Sequence, residues 1–200
     1  MNVPQTSSKH GLRERKKAKT KEAIQRHALR LFHEQGYDTT TIEQIAEAAE
    51  ISPSTFFRYF PTKEDAVLYD ALDPLIFAAL ESQPPELSPI QAFRAAMVSV
   101  LTHLSSEEVT QMEERAKLAM LTPELRMRML DEFASTVDIL SGMIAKRTGR
   151  KADELEVQVF SGALIGALFA VSFAAFKEPQ QDFIGMINKT FLYMESGMSL

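Results

Sequence analysis

From Ser52 to Lys63 the chain reads SPSTFFRYFPTK. At helical spacing Phe56 and Phe60 share one face, four residues apart, and form the natural core anchors. The other face carries Pro53, Ser54, Thr55, Phe57, Arg58 and Tyr59. Those side chains are suited to recognition: hydroxyls for phosphates or base edges, ring and methyl surface for thymine methyls, and a guanidinium able to bridge guanine O6 and N7. Ser52 before Pro53 is a capping hydroxyl followed by a proline at the first helical position. Upstream, Ile42, Ile45, Ala46 and Ala49 face inward while Glu43, Gln44 and Glu47 face out. Thr40 or Thr41 caps this shorter helix, and Thr40 with Glu43 fits a capping box. A hydroxyl and backbone N–H groups at such a start can meet a phosphate. Two short helices joined by a tight turn form a helix-turn-helix, whose second helix lies in the DNA major groove.

The elements that must hold this face in place are all helical. No strand-like alternation persists along the chain, and Ser88-Pro89 and Thr122-Pro123 repeat the capping pair at Ser52-Pro53. The punctuation predicts about nine helices, near 13–35, 41–48, 53–60, 63–82, 89–104, 107–121, 123–148, 153–177 and 180–196. The first stops at Gly36. The expected fold is all-α, with an N-terminal helix-turn-helix head and a larger helical body for ligand binding and dimerisation. The head is assigned to residues 1–65 and the body to 66–200, with Pro84-Pro85 as the break before the body helices.

Charge supports the same division. The net charge is −5, yet residues 1–30 hold nine Lys and Arg against Glu14 and Glu22. Phosphate attraction is screened beyond about 8–10 Å, so local charge outweighs the total. Arg13, Lys16, Lys17 and Lys21 lead into the first helix beside the expected DNA face and suit a phosphate or minor-groove role. An exposed solubilising tail is the plainer use of such a run. The absence of cysteine removes disulfides, thiolate metal sites and cysteine nucleophiles. His10, His27, His33 and His103 form no metal-binding motif, and there is no Gly-rich phosphate loop, nucleophile elbow or paired-carboxylate motif. No enzyme activity, cofactor or metal is expected. Met1–His10 is polar, with no apolar stretch after the basic run, so no signal peptide is expected. Residues 157–176 are uncharged and long enough for a membrane span, but their Ala, Gly and Ser content suits a core or subunit interface, and a cytoplasmic protein is expected.

Residues 12–68 resemble the DNA-binding head of the TetR family of transcriptional regulators. The resemblance rests on Leu31-Phe32, Gly36-Tyr37, Thr40-Thr41, Ile45-Ala46, Ile51-Ser52, Phe56-Phe57-Arg58-Tyr59-Phe60 and Lys63, in register across four helices. It implies that Thr41 meets a phosphate and that Pro53, Ser54, Thr55 and Phe57 meet base edges and methyl groups. It further implies that Tyr59 and Lys63 grip the DNA backbone. Two residues depart from the family pattern. Phe57 replaces a usual Tyr, which removes a hydroxyl contact. Glu50 replaces a usual turn Gly, at a cost of about 1 kcal/mol if that position needs positive φ.

In the body, Gly162, Gly166, Ala170 and Ala174 recur every four residues, which allows two helices to approach closely. The resemblance implies a four-helix dimer interface from the last two helices, which adds Phe183, Ile187 and Phe191. A dimer would read a palindromic site in double-stranded DNA. Phe93, Met97, Leu101, Met112, Met120, Phe133, Val137, Phe169 and Phe173 are apolar at helical spacing. They suit either ordinary core or the lining of a pocket, and Arg115 is a polar partner for an anionic ligand. Arg115 and Thr122-Pro123-Glu124-Leu125 also resemble a TetR-family branch associated with acyl-CoA-like ligands, which implies a small hydrophobic effector. The expected function is a ligand-released repressor. The alternatives are an activator of the same family and a helical protein-interaction module.

Overall fold

The structure, a computed structural model, describes residues 6–177 and 182–199, without the side chains of 6–12, 14, 15, 176 and 177. The expected lack of a signal peptide falls on Met1–His10, outside the described side chains. Every regular element among the described residues is an α-helix, and they divide into two compact units, Met1–Ala71 and Leu72–Leu200.

The first unit holds α1 (Thr6–Gln35), α2 (Ile42–Ala48), α3 (Pro53–Tyr59) and α4 (Lys63–Leu68). α1 begins well before the expected Arg13, and no proline follows Pro4 to interrupt it. The basic run is therefore helical rather than a separate arm. Gly36 ends α1 at φ 91°, with its N–H bonded to the Phe32 carbonyl at 3.0 Å. Ile24, Ala28 and Phe32 of α1 are buried with Ile45, Ala46, Phe56, Phe60, Ala66 and Val67. Phe56 and Phe60 are thus the anchors that their spacing predicts, with ring centroids 6.1 Å apart.

The single helix expected over 63–82 is two helices, so ten stand among the described residues where about nine were expected. Pro74 is the reason. A continuous helix would need its missing N–H to bond the Asp70 carbonyl, which its ring would strike. The backbone instead leaves the helix at Tyr69 (φ −54°, ψ 120°) and restarts as α5 (Asp73–Glu81). The division between the compact units falls in this break, after Ala71. All of α4 lies before it, and Pro84-Pro85 lies in a loop inside the second unit.

That unit continues with α6 (Pro89–Leu101), α7 (Ser106–Leu121), α8 (Pro123–Thr148), α9 (Leu155–Lys177) and α10 (Phe183–Glu195). Ser88 caps α6 through a box with Gln91, but Thr122 makes no capping bond to α8, contrary to expectation. α6, α8, α9 and α10 enclose the core, where Phe93 and Phe191 meet edge to face at 5.4 Å. Arg94 bonds Glu195 at 2.8 Å and Asn188 at 3.1 Å, which ties α6 to α10. The Arg147 guanidinium holds the α5–α6 loop by the carbonyls of Gln83 (3.2 Å), Leu87 (3.0 Å) and Pro84.

Candidate nucleic-acid interface

α2 starts at Thr41, whose hydroxyl accepts from Gln44 N at 3.3 Å while Gln44 Oε1 accepts from Thr41 N at 2.9 Å. The capping box is therefore Thr41 with Gln44, one residue later than the expected Thr40 with Glu43. Thr40 is buried, and its hydroxyl donates to the Gly36 carbonyl at 2.7 Å, so it is not available to cap. Gln35 Nε2 bonds both Thr40 Oγ1 (3.1 Å) and Gln44 Oε1 (2.8 Å), which fixes the start of α2 to the end of α1.

The turn into α3 is a Schellman arrangement. Ile51 N bonds the Ala46 carbonyl at 2.9 Å, and Glu50 N bonds the Glu47 carbonyl at 3.0 Å. Such a turn needs one left-handed residue, and that residue is Glu50 at φ 54°. The position does require positive φ, and a side chain occupies it.

Ser52 then caps α3, its hydroxyl accepting from Thr55 N at 3.1 Å. The same oxygen lies 2.9 Å from both Ser54 Oγ and Thr55 Oγ1, so three hydroxyls cluster at the start of the helix. Pro53, Ser54, Phe57 and Arg58 are exposed, and Thr55 and Tyr59 are half-buried. Phe57 is 52% exposed, and its ring meets that of Phe56 edge to face. The Arg58 guanidinium lies 5.4 Å from the Tyr59 ring centroid, which holds it close to the helix. The backbone of α3 is thus rigidly capped, and a mixed hydroxyl, aromatic and cationic surface stands outward from it.

The expected basic contacts divide into two groups. Arg13, Lys16 and Lys17 are exposed on α1. Lys21 is turned inward instead, its ammonium 4.2 Å from the Tyr69 ring centroid and 5.2 Å from that of Phe60. Burial, then repulsion from Lys17, lowers its pKa. The two rings attract the ammonium electrostatically, which explains why it leaves the solvent. Lys63 is also engaged by its own chain. It donates to the carbonyls of Tyr37 (2.8 Å) and Thr40 (3.3 Å) and lies 4.1 Å from the Tyr37 ring centroid.

Several positioning residues escape the sequence pattern. Gln25 donates to the carbonyls of Ala66 (2.9 Å), Val67 (3.2 Å) and Tyr69 (2.7 Å), satisfying the end of α4. Its one signal in the sequence is its place beside the inward stripe of Ile24 and Ala28. Tyr37 OH donates to Glu64. Burial opposes ionisation of that carboxyl, but bonds from Tyr37, its own backbone and Thr62, with the Lys63 charge, hold its pKa below the usual value. His27 is held below the usual histidine range, first by burial and then by Arg26 and Arg30, with Glu50 pulling the other way.

In the body, Phe93, Met97, Leu101, Met120 and Val137 lie in the buried core. Met112, Phe133 and Phe169 are half-buried against that core, with the Phe133 and Phe169 ring centroids 5.6 Å apart. Arg115 is half-buried, whereas Phe173 is exposed and therefore stands away from the inward residues it was grouped with. On the expected dimer surface Ala170 and Ala174 are exposed, and a Cβ built on Gly162 or Gly166 meets nothing within 4 Å. Ile187 and Phe191, expected there too, are buried in their own core, and Phe183 is half-buried. The inward face of α10 packs on α6 and α9, which removes those two from any outer surface. α9 is long and apolar enough to cross a membrane, and 28% of its apolar window is buried inside the body. Among the described residues no group of His, Asp and Glu could hold a metal ion.

Comparison with known proteins adds the family context. Residues 24–69 match the profile described as bacterial regulatory proteins, tetR family, and residues 87–199 match the MftR C-terminal domain. The HTH-type transcriptional regulator TcmR of Streptomyces glaucescens is 38% identical over 151 residues, 72% of this chain and 67% of that protein. MftR of Mycobacterium tuberculosis is 25% identical over 154 residues, 76% of this chain and 77% of that one. Among solved structures, the Thermus thermophilus repressor FadR bound to lauroyl-CoA aligns with a TM-score of 0.56 at 24% identity, over 90% of this chain and 95% of that chain. SmeT of Stenotrophomonas maltophilia, bound to triclosan, aligns at 0.57 and 20% identity, over 88% of this chain and 90% of that chain. The two structures share the fold.

Proposed function

The chain belongs to the TetR family of bacterial transcriptional regulators, and on that premise we propose that it works in the cytoplasm as a dimeric, effector-released repressor of a palindromic operator. The observation that carries this reading is the outward surface of α3. A capped helix presents exposed Pro53, Ser54, Phe57 and Arg58 beside half-buried Thr55, while buried Phe56 and Phe60 anchor it. Arg13, Lys16 and Lys17 add phosphate attraction from α1, and Thr41 adds its capped helix start. Lys21 and Lys63 support the head from within, so their removal would weaken DNA binding through folding.

A second copy of the chain covers α9 in this reading. Its exposed Leu155, Val159, Phe173, Ala170 and Ala174, with the open Gly162 and Gly166, make an apolar strip that a solvated monomer would leave in water. Leu192 and Tyr193, exposed on α10, extend it in place of the buried Ile187 and Phe191. The effector is a small hydrophobic molecule, possessing an acyl chain in the simplest case, seated where Met112, Phe133 and Phe169 lie against the core. Neighbours of this fold hold lauroyl-CoA in one case and triclosan in another, and adaptable thioethers suit such ligands. The effector acts only if it prefers the conformation that does not bind DNA.

Selection of bound sequences from a random DNA pool tests the first half of the proposal. It should yield a two-fold symmetric site with half-sites about one helical turn apart. Lauroyl-CoA should then release that DNA and raise the melting temperature. Enrichment of no sequence, or an asymmetric single site bound by a monomer, would refute the dimeric reader.

A further inference from the structure

Residues 37–40 turn the chain from α1 into α2, and Lys63 of α4 holds both ends of that turn. The turn closes through Thr40 N, which bonds the Tyr37 carbonyl at 3.3 Å. The Lys63 ammonium donates to that same carbonyl at 2.8 Å and to the Thr40 carbonyl at 3.3 Å. It also lies 4.1 Å from the Tyr37 ring centroid. The next residue of α4 grips the same tyrosine by its other end, since Glu64 accepts from the Tyr37 hydroxyl. Thr62 and Asp65 fix the backbone of this pair through the capping box that starts α4. Tyr37 is buried, with its ring centroid 5.1 Å from that of Phe32 on α1.

The consequence falls on Thr41. The Thr40 carbonyl and the Thr41 N–H belong to one planar peptide and point in opposite directions. Lys63 holds the carbonyl side, and Gln44 Oε1 accepts from the N–H side at 2.9 Å. Gln35 of α1 in turn donates to Gln44 Oε1 at 2.8 Å. The peptide that leads into α2 is therefore gripped along both edges. Thr41 itself is exposed, and its hydroxyl oxygen accepts from Gln44 N, which leaves the hydroxyl hydrogen for an outside acceptor. Lys63 is differently placed. An ammonium has three donors, and two of them serve carbonyls of its own chain while a ring covers the charge. To reach a phosphate it would have to release the turn.

We propose that Lys63 is a positioning residue for operator binding: with Glu64 and Tyr37 it clamps the 37–40 turn, and the clamp aims the Thr41 hydroxyl at a DNA phosphate. The proposal rests on the DNA-reading role given to Thr41 above. It moves Lys63 from the grip on the DNA backbone, which the family resemblance implies, to the turn that presents Thr41. Lys63 thus does more than stabilise the head.

The test measures operator binding by full-length wild type, K63M, Y37F and T41V, and by K63M and Y37F each combined with T41V. The operator is the sequence selected from the random pool, and the temperature is well below every melting point. K63M should weaken binding about tenfold and leave the salt slope unchanged. Y37F removes no charge and should weaken binding in the same direction. Neither should add its full effect to that of T41V, because the clamp acts through Thr41. Additive losses would overturn the proposal, and a slope lower by about 1 would then make Lys63 a phosphate contact in its own right. Wild-type affinity in K63M would show that the turn keeps its place without the clamp, which also overturns it. Should K63M not fold, Y37F with T41V decides the matter by the same additivity. Failure of the wild type to bind any selected sequence would refute the DNA reading itself, whereas failure of the clamp leaves wild-type binding intact.

Discussion

Replacing Glu50 with glycine should make the protein more stable, although it deletes a whole side chain from the DNA-binding motif. Glu50 sits at φ 54°, in the left-handed position of the Schellman turn that closes α2. An L-residue there is disfavoured by about 1–2 kcal/mol, because Cβ approaches the following carbonyl oxygen. Glycine removes that strain but gives the unfolded chain more freedom, which offsets about 0.5–1 kcal/mol. The net gain is about 0.5–1 kcal/mol. With a urea m-value of about 2 kcal/mol/M, the unfolding midpoint of the full chain should rise by roughly 0.25–0.5 M. Glu50→Ala is the necessary control, since alanine keeps Cβ and the strain but loses the carboxylate. It should leave the midpoint close to that of the wild type. Equal stabilisation by alanine and glycine would mean that charge, not backbone, governs this turn. A lower midpoint for glycine would mean that the Glu50 side chain holds the turn together, and the strain argument would be wrong. DNA affinity gives a separate reading, because both variants remove one negative charge beside the basic α1 and should bind non-specific DNA more tightly to a similar degree.

Stability should fall as pH drops below about 6.5, the unfolded pKa of histidine. Burial and then the charges of Arg26 and Arg30 lower the folded pKa of His27, so the unfolded chain binds the extra proton first and the loss continues down to that folded value. His27→Gln should flatten this part of a urea-midpoint profile. Gln25→Ala should cost about 1–3 kcal/mol by orphaning carbonyls at the end of α4, measured by denaturant unfolding. Lys16→Ala and Lys17→Ala should each reduce the salt slope of operator binding by about 1, and an unchanged slope would remove them from the phosphate contacts. Arg58→Ala should relax specificity at one base position at a cost of about 1–3 kcal/mol, whereas a uniform loss over all sequences would mark a phosphate contact.

The sequence is most legible where local chemistry decides the structure. Ser52 and Pro53 announce the start of α3, Gly36 ends α1, and Phe56 and Phe60 enter the head core as their spacing requires. The family resemblance even located the residue that needs a left-handed backbone. The sequence is least legible where a side chain chooses between solvent and a distant partner. Lys21 reads as one more member of a basic run until Tyr69, far along the chain, supplies a ring to cover it. Ile187 and Phe191 sit on a helix with two apolar faces, and periodicity does not say which face meets its own subunit. Pro74 stands inside an otherwise continuous apolar helical pattern, so the periodicity carries straight through a point where the proline ring forces the backbone to break.

The same difference in scale explains how one acidic chain can serve as a DNA reader. The excess negative charge lies largely on the body, whereas exposed Arg13, Lys16 and Lys17 share the compact unit of α3. At physiological salt a charge is felt over about 8 Å, which is shorter than α1 itself. Attraction to DNA therefore depends on the cations within one screening length of the α3 surface, and the body's charge enters mainly through solubility. Reversing two carboxylates of the second unit, as in Glu107→Lys with Glu113→Lys, should accordingly leave the salt slope of operator binding unchanged while the net charge moves from −5 towards zero. A slope that followed net charge instead of the α1 cations would show that the long-range field governs binding and that the local account is wrong.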